Sequence, residues 1–215
     1  MKALADCKLY TFLDTAYLSE RNASDVARQL CEGGSDLIQL RAKGLPIKPV
    51  REMALEILPI LRRAGVGLVL NDYPELANEV GADLVHLGQQ DFFHRGVMRT
   101  SQTGIKLGLS THSPEDARRA LQAGPQYIAV GPVYRTATKP DAKPVTLEYV
   151  RWAKENVGIP WFAIGGITLD NLDEVLAAGA ERIAVVSAIL KAKNIVGTCQ
   201  MFKQRLTSPP PKQTL

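Results

Sequence analysis

A chain of 215 residues, 46% hydrophobic and 22% charged, has the size and balance of one soluble globular domain. Its net charge of +4 is mild and no basic run is interleaved with aromatics, which argues against nucleic-acid binding and suits small anionic substrates. No apolar stretch is long enough to span a bilayer, Met1 to Asp6 lacks the apolar core of a signal peptide, and Cys7, Cys31 and Cys199 have no metal-ligand spacing; three free thiols in a reducing cytoplasm are expected.

In chain order, Leu9 to Leu13 forms the first apolar run. A unit then recurs: a helix-like stretch, a glycine, and a short β-branched apolar run. The runs are Leu37 to Leu40 after Gly33-Gly34, Val66 to Leu70 after Gly65, Leu84 to Leu87 after Gly81, and Ile105 to Leu109 after Gly104. Tyr127 to Val130 follows Gly124, Trp161 to Ile164 follows Gly158, and Ile183 to Val186 follows Gly179. Glycine is expected just past a helix end, where a left-handed backbone costs it little. Between the runs, Arg51 to Arg63 mixes apolar residues with charges as a helix does, Ser113-Pro114 reads as an N-cap followed by proline, and Thr168 to Asn171 reads as another helix start. Continuous apolar strands belong to a parallel sheet covered on both faces. Eight near-equal units predict a single (β/α)8 TIM barrel of class α/β over residues 1–207, and the proline-rich residues 208–215 predict a flexible tail.

In such a barrel the chemistry lies at the C-terminal ends of the strands. Alternation along the second strand sends Gln39, Arg41 and Lys43 to one side, either as a diphosphate clamp or as an ordinary basic rim. Asn71-Asp72 and Gln90-Asp91 end the third and fourth; the two carboxylates are either helix caps or magnesium ligands completed by substrate phosphates. After the sixth strand, Gly131 to Lys139 brings hydroxyls and a lysine. Gly165-Gly166 after the seventh and Ser187 after the eighth form either tight turns or a phosphate site built from backbone amides. His86, His94 and His112 are not at zinc-site spacing; His86 belongs in the core or behind a ligand, and His94 on the surface.

From about Leu9 to about Ile189 the chain resembles the thiamine-phosphate synthase family. The resemblance is carried by Leu9 to Asp14, Gln39-Leu40-Arg41-Ala42-Lys43, Asn71-Asp72, Val85 to Asp91, Gly108 to His112, Val130 to Lys139, Ala163 to Ile167 and Ala184 to Ile189. The Thr136-Ala137-Thr138-Lys139 core is the most specific of these. It implies that Gln39, Leu40, Arg41, Ala42, Lys43, Asn71, Ser110 and Lys139 hold an aminopyrimidine diphosphate, with Arg41, Lys43, Ser110 and Lys139 as the catalytic set. It implies Thr136, Ala137, Thr138, Gly166, Val186 and Ser187 for a thiazole phosphate, and Asp72 and Asp91 for one Mg2+ per subunit. The implied reaction joins the two phosphorylated substrates to thiamine phosphate and releases pyrophosphate, with loss of CO2 when the thiazole carries a carboxylate. Leu13, Tyr73 and Phe92 to Arg95 depart from the family pattern without removing an implied ligand. Two other readings are a thiazole tautomerase of the same fold, which needs no metal carboxylates, and a non-catalytic barrel that senses thiamine phosphate. The partners implied are small phosphorylated molecules, with homo-oligomerisation left open.

Overall fold

The computed structural model describes residues 1–94, 104, 106–136 and 143–207. The apolar runs become eight strands: β1 (Leu9–Asp14), β2 (Leu37–Arg41), β3 (Gly67–Asn71), β4 (Leu84–Leu87), β5 (Leu107–Thr111), β6 (Tyr127–Val130), β7 (Trp161–Ile164) and β8 (Ile183–Val185). Each pairs in parallel with the next, and β8 returns to β1 through Leu9↔Ile183, Tyr10↔Ala184 and Thr11↔Val185, closing the barrel. Between and after the strands lie α1 (Ala23–Glu32), α2 (Ile47–Ala64), α3 (Pro74–Val80), α4 (Gln89–His94), α5 (Pro114–Ala123), α6 (Thr146–Asn156), α7 (Leu172–Ala177), α8 (Ser187–Leu190) and α9 (Ile195–Thr207). This is the expected (β/α)8 barrel; residues 208–215 lie outside the described residues. Among the described residues no helix is long and apolar enough to cross a membrane.

The boundaries differ from the sequence reading where local chemistry intervenes. Val66 closes the end of α2 instead of opening β3: Gly65 takes φ 70, its N–H reaches Arg62 O, and Val66 N–H reaches back to Leu61 O at 2.9 Å. β5 starts at Leu107 and runs on to Thr111, because Ser110 and Thr111 still pair with Ala129 and Val130; Ile105 lies outside the described residues. Ser113 caps α5 as read, its hydroxyl accepting from Asp116 N–H at 3.1 Å. By contrast, α7 opens at Leu172, later than Thr168. The Asn171 amide is used on the preceding turn, accepting from Thr168 N–H at 2.8 Å and donating to Gly166 O at 2.9 Å. Gly158 is not a left-handed helix stop, since α6 ends through an extended Val157.

Aromatic side chains fill the barrel interior. Tyr10 stacks on Phe12 at 5.2 Å and meets Phe162 and Tyr127 edge-on at 5.3 and 5.9 Å. Gly108 makes the space for Tyr127, because a Cβ there would lie 2.0 Å from the tyrosine Cζ. The opposite end of the barrel is tied by Asp36, whose side chain is 1% exposed. It accepts from the backbone N–H of Lys8 and Leu9 at 2.8 and 3.0 Å and pairs with Lys2 Nζ at 2.7 Å and with Lys203 of α9. One carboxylate thus joins the N-terminal segment, β1, β2 and the last helix. All three cysteines are free; burial raises the thiols of Cys7 and Cys31 to about 11 and that of Cys199 to about 12, so none is a ready nucleophile at neutral pH.

Burial alone would raise the pKa of Asp36, but its bonds from Lys2, Lys203, Leu9 and Lys8 lower it below the ordinary 3.8. A depressed carboxylate stabilises the fold fully above its unfolded value, and that contribution is lost as pH falls through the folded value. Asp36→Asn should therefore lower the melting temperature at pH 7 and lose part of the wild type's acid-side dependence below about pH 4. Thermal unfolding of both proteins across pH 2–7 checks this; parallel curves would show that Asp36 contributes no linked stability.

Candidate active site

One cavity opens at the C-terminal ends of the strands. Its floor is the aromatic interior, with Tyr10, Phe12 and His86 reaching it from below. Strand alternation builds the first wall. Gln39 and Arg41 of β2 line the cavity, and Lys43 beyond the strand joins them. Leu40 and Ala42 are not among the lining residues, because they alternate outward and bury their side chains in the core. Any contact they make with a ligand is through the backbone.

Arg41 is held from behind. Its Nη1 donates to Asp14 Oδ2 at 2.6 Å, and Asp14 is 1% exposed at the end of β1. The other Asp14 oxygen accepts from Ala16 N–H at 3.0 Å, which fixes the carboxylate itself. Nothing in the sequence spacing of Asp14 and Arg41 marks them as partners; only the β1–β2 register, Asp14↔Arg41, brings them side by side.

Asp72 and Asp91 both line the cavity and neither is a helix N-cap; that place belongs to Tyr73 for α3, and Asp91 lies within the first turn of α4. Asp72 has φ 71, uncommon for a residue with a Cβ, and its N–H is tied to His86 O at 3.1 Å. Its Oδ2 lies 3.5 Å from Lys43 Nζ. Gly88 makes room for Asp91: a Cβ at that glycine would come within 2.9 Å of Asp91 Oδ2. Among the described residues no three His, Cys, Asp or Glu side chains gather into a metal-holding group. Two carboxylates on a cavity wall suit a hard cation whose remaining ligands come from phosphate and water. Asn71 and Ser110 complete this side of the cavity.

The facing wall is built from the loop after β6 and the turn after β7. After β6 the chain crosses the turn after β7, with Val133 N–H bonded to Ile164 O at 2.8 Å and Tyr134 N–H to Gly165 O at 3.0 Å. The contact tolerates no side chain. A Cβ on Gly131 would lie 2.1 Å from Ile164 O, and one on Gly166, which has φ 66, would lie 2.6 Å from Arg135 O. Thr136, Gly165, Gly166, Val186 and Ser187 line the cavity here; Ala137, Thr138 and Lys139 lie outside the described residues. His112 also lines the cavity, with its Nδ1–H donated to Gly131 O. His94 is exposed at the end of α4, as read from the sequence.

A closed parallel barrel with cations, carboxylates and a glycine-rich turn around one mouth defines a (β/α)8-barrel enzyme of small anionic substrates. A model of a known family, thiamine monophosphate synthase, matches residues 9–189. The thiamine-phosphate synthase of Thermus thermophilus is 47% identical over 183 residues, which cover 85% of this chain and 88% of that protein. The protein of the same name from Halalkalibacterium halodurans is 36% identical over 93% of this chain and 95% of its own length. Among solved structures, a thiamine phosphate pyrophosphorylase from Pyrococcus furiosus superposes with a TM-score of 0.82 at 28% identity, covering 95% of this chain and 98% of that one. The chain belongs to the thiamine monophosphate synthase family.

Breaking a buried ion pair by removing one partner typically costs about 3–5 kcal/mol. Arg41 keeps some solvent contact, so Asp14→Ala is expected to lower unfolding stability by about 3 kcal/mol. Urea denaturation measures this; a loss under about 1 kcal/mol would mean that the pair contributes no more than a surface one.

Proposed function

We propose that the protein condenses 4-amino-2-methyl-5-hydroxymethylpyrimidine diphosphate with a thiazole phosphate, giving thiamine phosphate and pyrophosphate. Membership of the family gives the activity its class. The observation that carries the assignment of roles is that one cavity has two unlike phosphate-compatible walls: Arg41, Lys43, Asp72 and Asp91 on one, and Gly166, Val186 and Ser187 on the other. A diphosphate with its counter-cation suits the first, and a monophosphate on backbone amides suits the second.

In this reading the reaction is a displacement at the pyrimidine methylene. The C–O bond to the diphosphate breaks, the aminopyrimidine ring shares the resulting positive charge, and the thiazole nitrogen supplies the electron pair of the new C–N bond. When the thiazole carries a carboxylate, its loss as CO2 follows. Arg41, fixed by Asp14, and Lys43 stabilise charge building on the leaving pyrophosphate. Lys139 is assigned the same task on the strength of the resemblance alone. Mg2+, held by Asp72 and Asp91, would neutralise part of that charge when bound. Gln39, Asn71 and Ser110 orient the pyrimidine, and Thr136 with the amide wall orients the thiazole, so that nucleophile and cation meet before water intervenes; Ala137 and Thr138 are given the same task on the strength of the resemblance alone. No strong base is required. A cytoplasmic setting suits free thiols and phosphorylated metabolites.

Purified protein mixed with both substrates and magnesium should release pyrophosphate and form thiamine phosphate in equal amount, and omission of any one component should stop release. An ordered protein that releases none would overturn the reading. Asp72→Ala combined with Asp91→Ala should abolish magnesium-dependent turnover, by at least about a hundredfold, with unchanged circular dichroism. Full turnover in that variant would remove the metal assignment. Lys139→Ala should lower kcat far more than it weakens thiazole phosphate binding; the reverse pattern would move Lys139 to the other substrate.

A further inference from the structure

A largely buried hydrogen-bonded chain of five residues crosses the floor of the cavity, and all but Tyr127 line it. Gln39 Nε2 donates to Tyr10 OH at 2.5 Å, Tyr10 OH lies 3.0 Å from Tyr127 OH, and Tyr127 OH lies 2.9 Å from His86 Nδ1. His86 Nε2 lies 2.8 Å from Ser110 Oγ. Tyr10 and Tyr127 are at most 1% exposed, Gln39 is 2% exposed and His86 9%. The two ends, Gln39 and Ser110, both line the cavity.

With Gln39 donating, only one direction leaves every hydroxyl proton along the chain paired. An amide nitrogen only donates, so Tyr10 O accepts from Gln39; pairing the buried Tyr10 proton then sends it on to Tyr127. The Tyr127 proton then goes to His86 Nδ1, so the ring proton sits on Nε2 and is given to Ser110 Oγ. The Ser110 proton is left pointing into the cavity, and the Gln39 carbonyl oxygen remains there as an acceptor. Both phenols keep their protons at neutral pH, since burial raises Tyr10 and Tyr127 well above the ordinary tyrosine value. The only other arrangement that pairs every hydroxyl proton of the chain is the full reversal, in which Gln39 turns its nitrogen to the cavity and Ser110 its lone pair.

We propose that Tyr10, Tyr127 and His86 are positioning residues that lock the cavity floor into one polarity, an acceptor at Gln39 and a donor at Ser110, and so select a ring bearing an amino group and an unprotonated ring nitrogen. An oxo-substituted ring carries the opposite pattern, a carbonyl acceptor and a ring N–H donor. It could be accepted only by leaving groups unpaired or by turning the whole chain round, which is how a built hydrogen-bonding site rejects a near isostere. The choice of substrate rests on the synthase reading above, whereas the direction of the chain does not.

The experiment is long-range 1H–15N spectroscopy of the full chain labelled with 15N-histidine, with His86 assigned by loss of its signals in His86→Gln. His86 should be neutral, with a proton on Nε2 and a bare Nδ1; a proton on Nδ1 would overturn the proposal. Tyr127→Phe removes the second and third links together, to Tyr10 and to His86. It should raise KM for the aminopyrimidine diphosphate about tenfold, the worth of one well-made hydrogen bond, and leave KM for the thiazole phosphate unchanged. It should also blur the His86 tautomer. An unchanged pyrimidine KM, or equal rises in both KM values, would overturn the positioning role. Should that variant fail to fold, the wild-type spectrum still decides the direction. A bare Nδ1 in a protein that releases no pyrophosphate would support the chain's direction while removing the synthase reading.

Discussion

Pairing of β8 with β1 is the constraint on which the rest depends. Without it the eight strands would form an open sheet with two edges; with it, every strand ends on the same rim. Gln39, Asn71, Ser110 and Ile164 come from four different strands, yet closure brings them to one cavity. Closure also creates an interior that must be filled, and Tyr10, Phe12, Tyr127 and Phe162 fill it. The floor of the cavity is therefore the top of the core. A group that packs the barrel can also face a ligand.

Two buried aspartates mark the two ends of this arrangement. Asp36 gathers two backbone amides and two lysines at the base, and its whole coordination is spent within the protein. Asp14 stands at the other end of the neighbouring strand and holds one side of Arg41, a residue that still faces the cavity. The same side-chain type thus closes a structure at one rim and presents a cation at the other. The difference lies in the rim each partner faces: Arg41 lines the cavity, whereas Lys2 and Lys203 lie at the base, away from it.

The fold was legible because it rests on repetition. Apolar runs punctuated by glycines survive small errors of boundary, such as the displacement of Val66 into the end of α2. The residues of the cavity were legible where strand alternation decides, as at Gln39 and Arg41, and the same alternation removes Leu40 and Ala42 from its lining. What the sequence did not disclose were relations across strands. Asp14 with Arg41, and Tyr10 with Tyr127, are adjacent only through the barrel, and a tyrosine in a strand reads as plain packing. The use of Asn171 on its preceding turn was likewise hidden, because the same residue type at that place equally suits a helix cap.

The stitching of the loop after β6 onto the Gly165-Gly166 turn has a consequence for how the molecule can be interrogated. One wall of the cavity offers long side chains, each of which can be deleted singly. The other is lined by Gly165, Gly166, Val186 and Ser187, and a peptide N–H that serves a ligand there survives almost any change of side chain. Alanine scanning would report on the first wall and stay silent on any main-chain contribution of the second. Only changes to the main chain itself, such as proline or an ester in place of the amide, would make that half of the cavity speak.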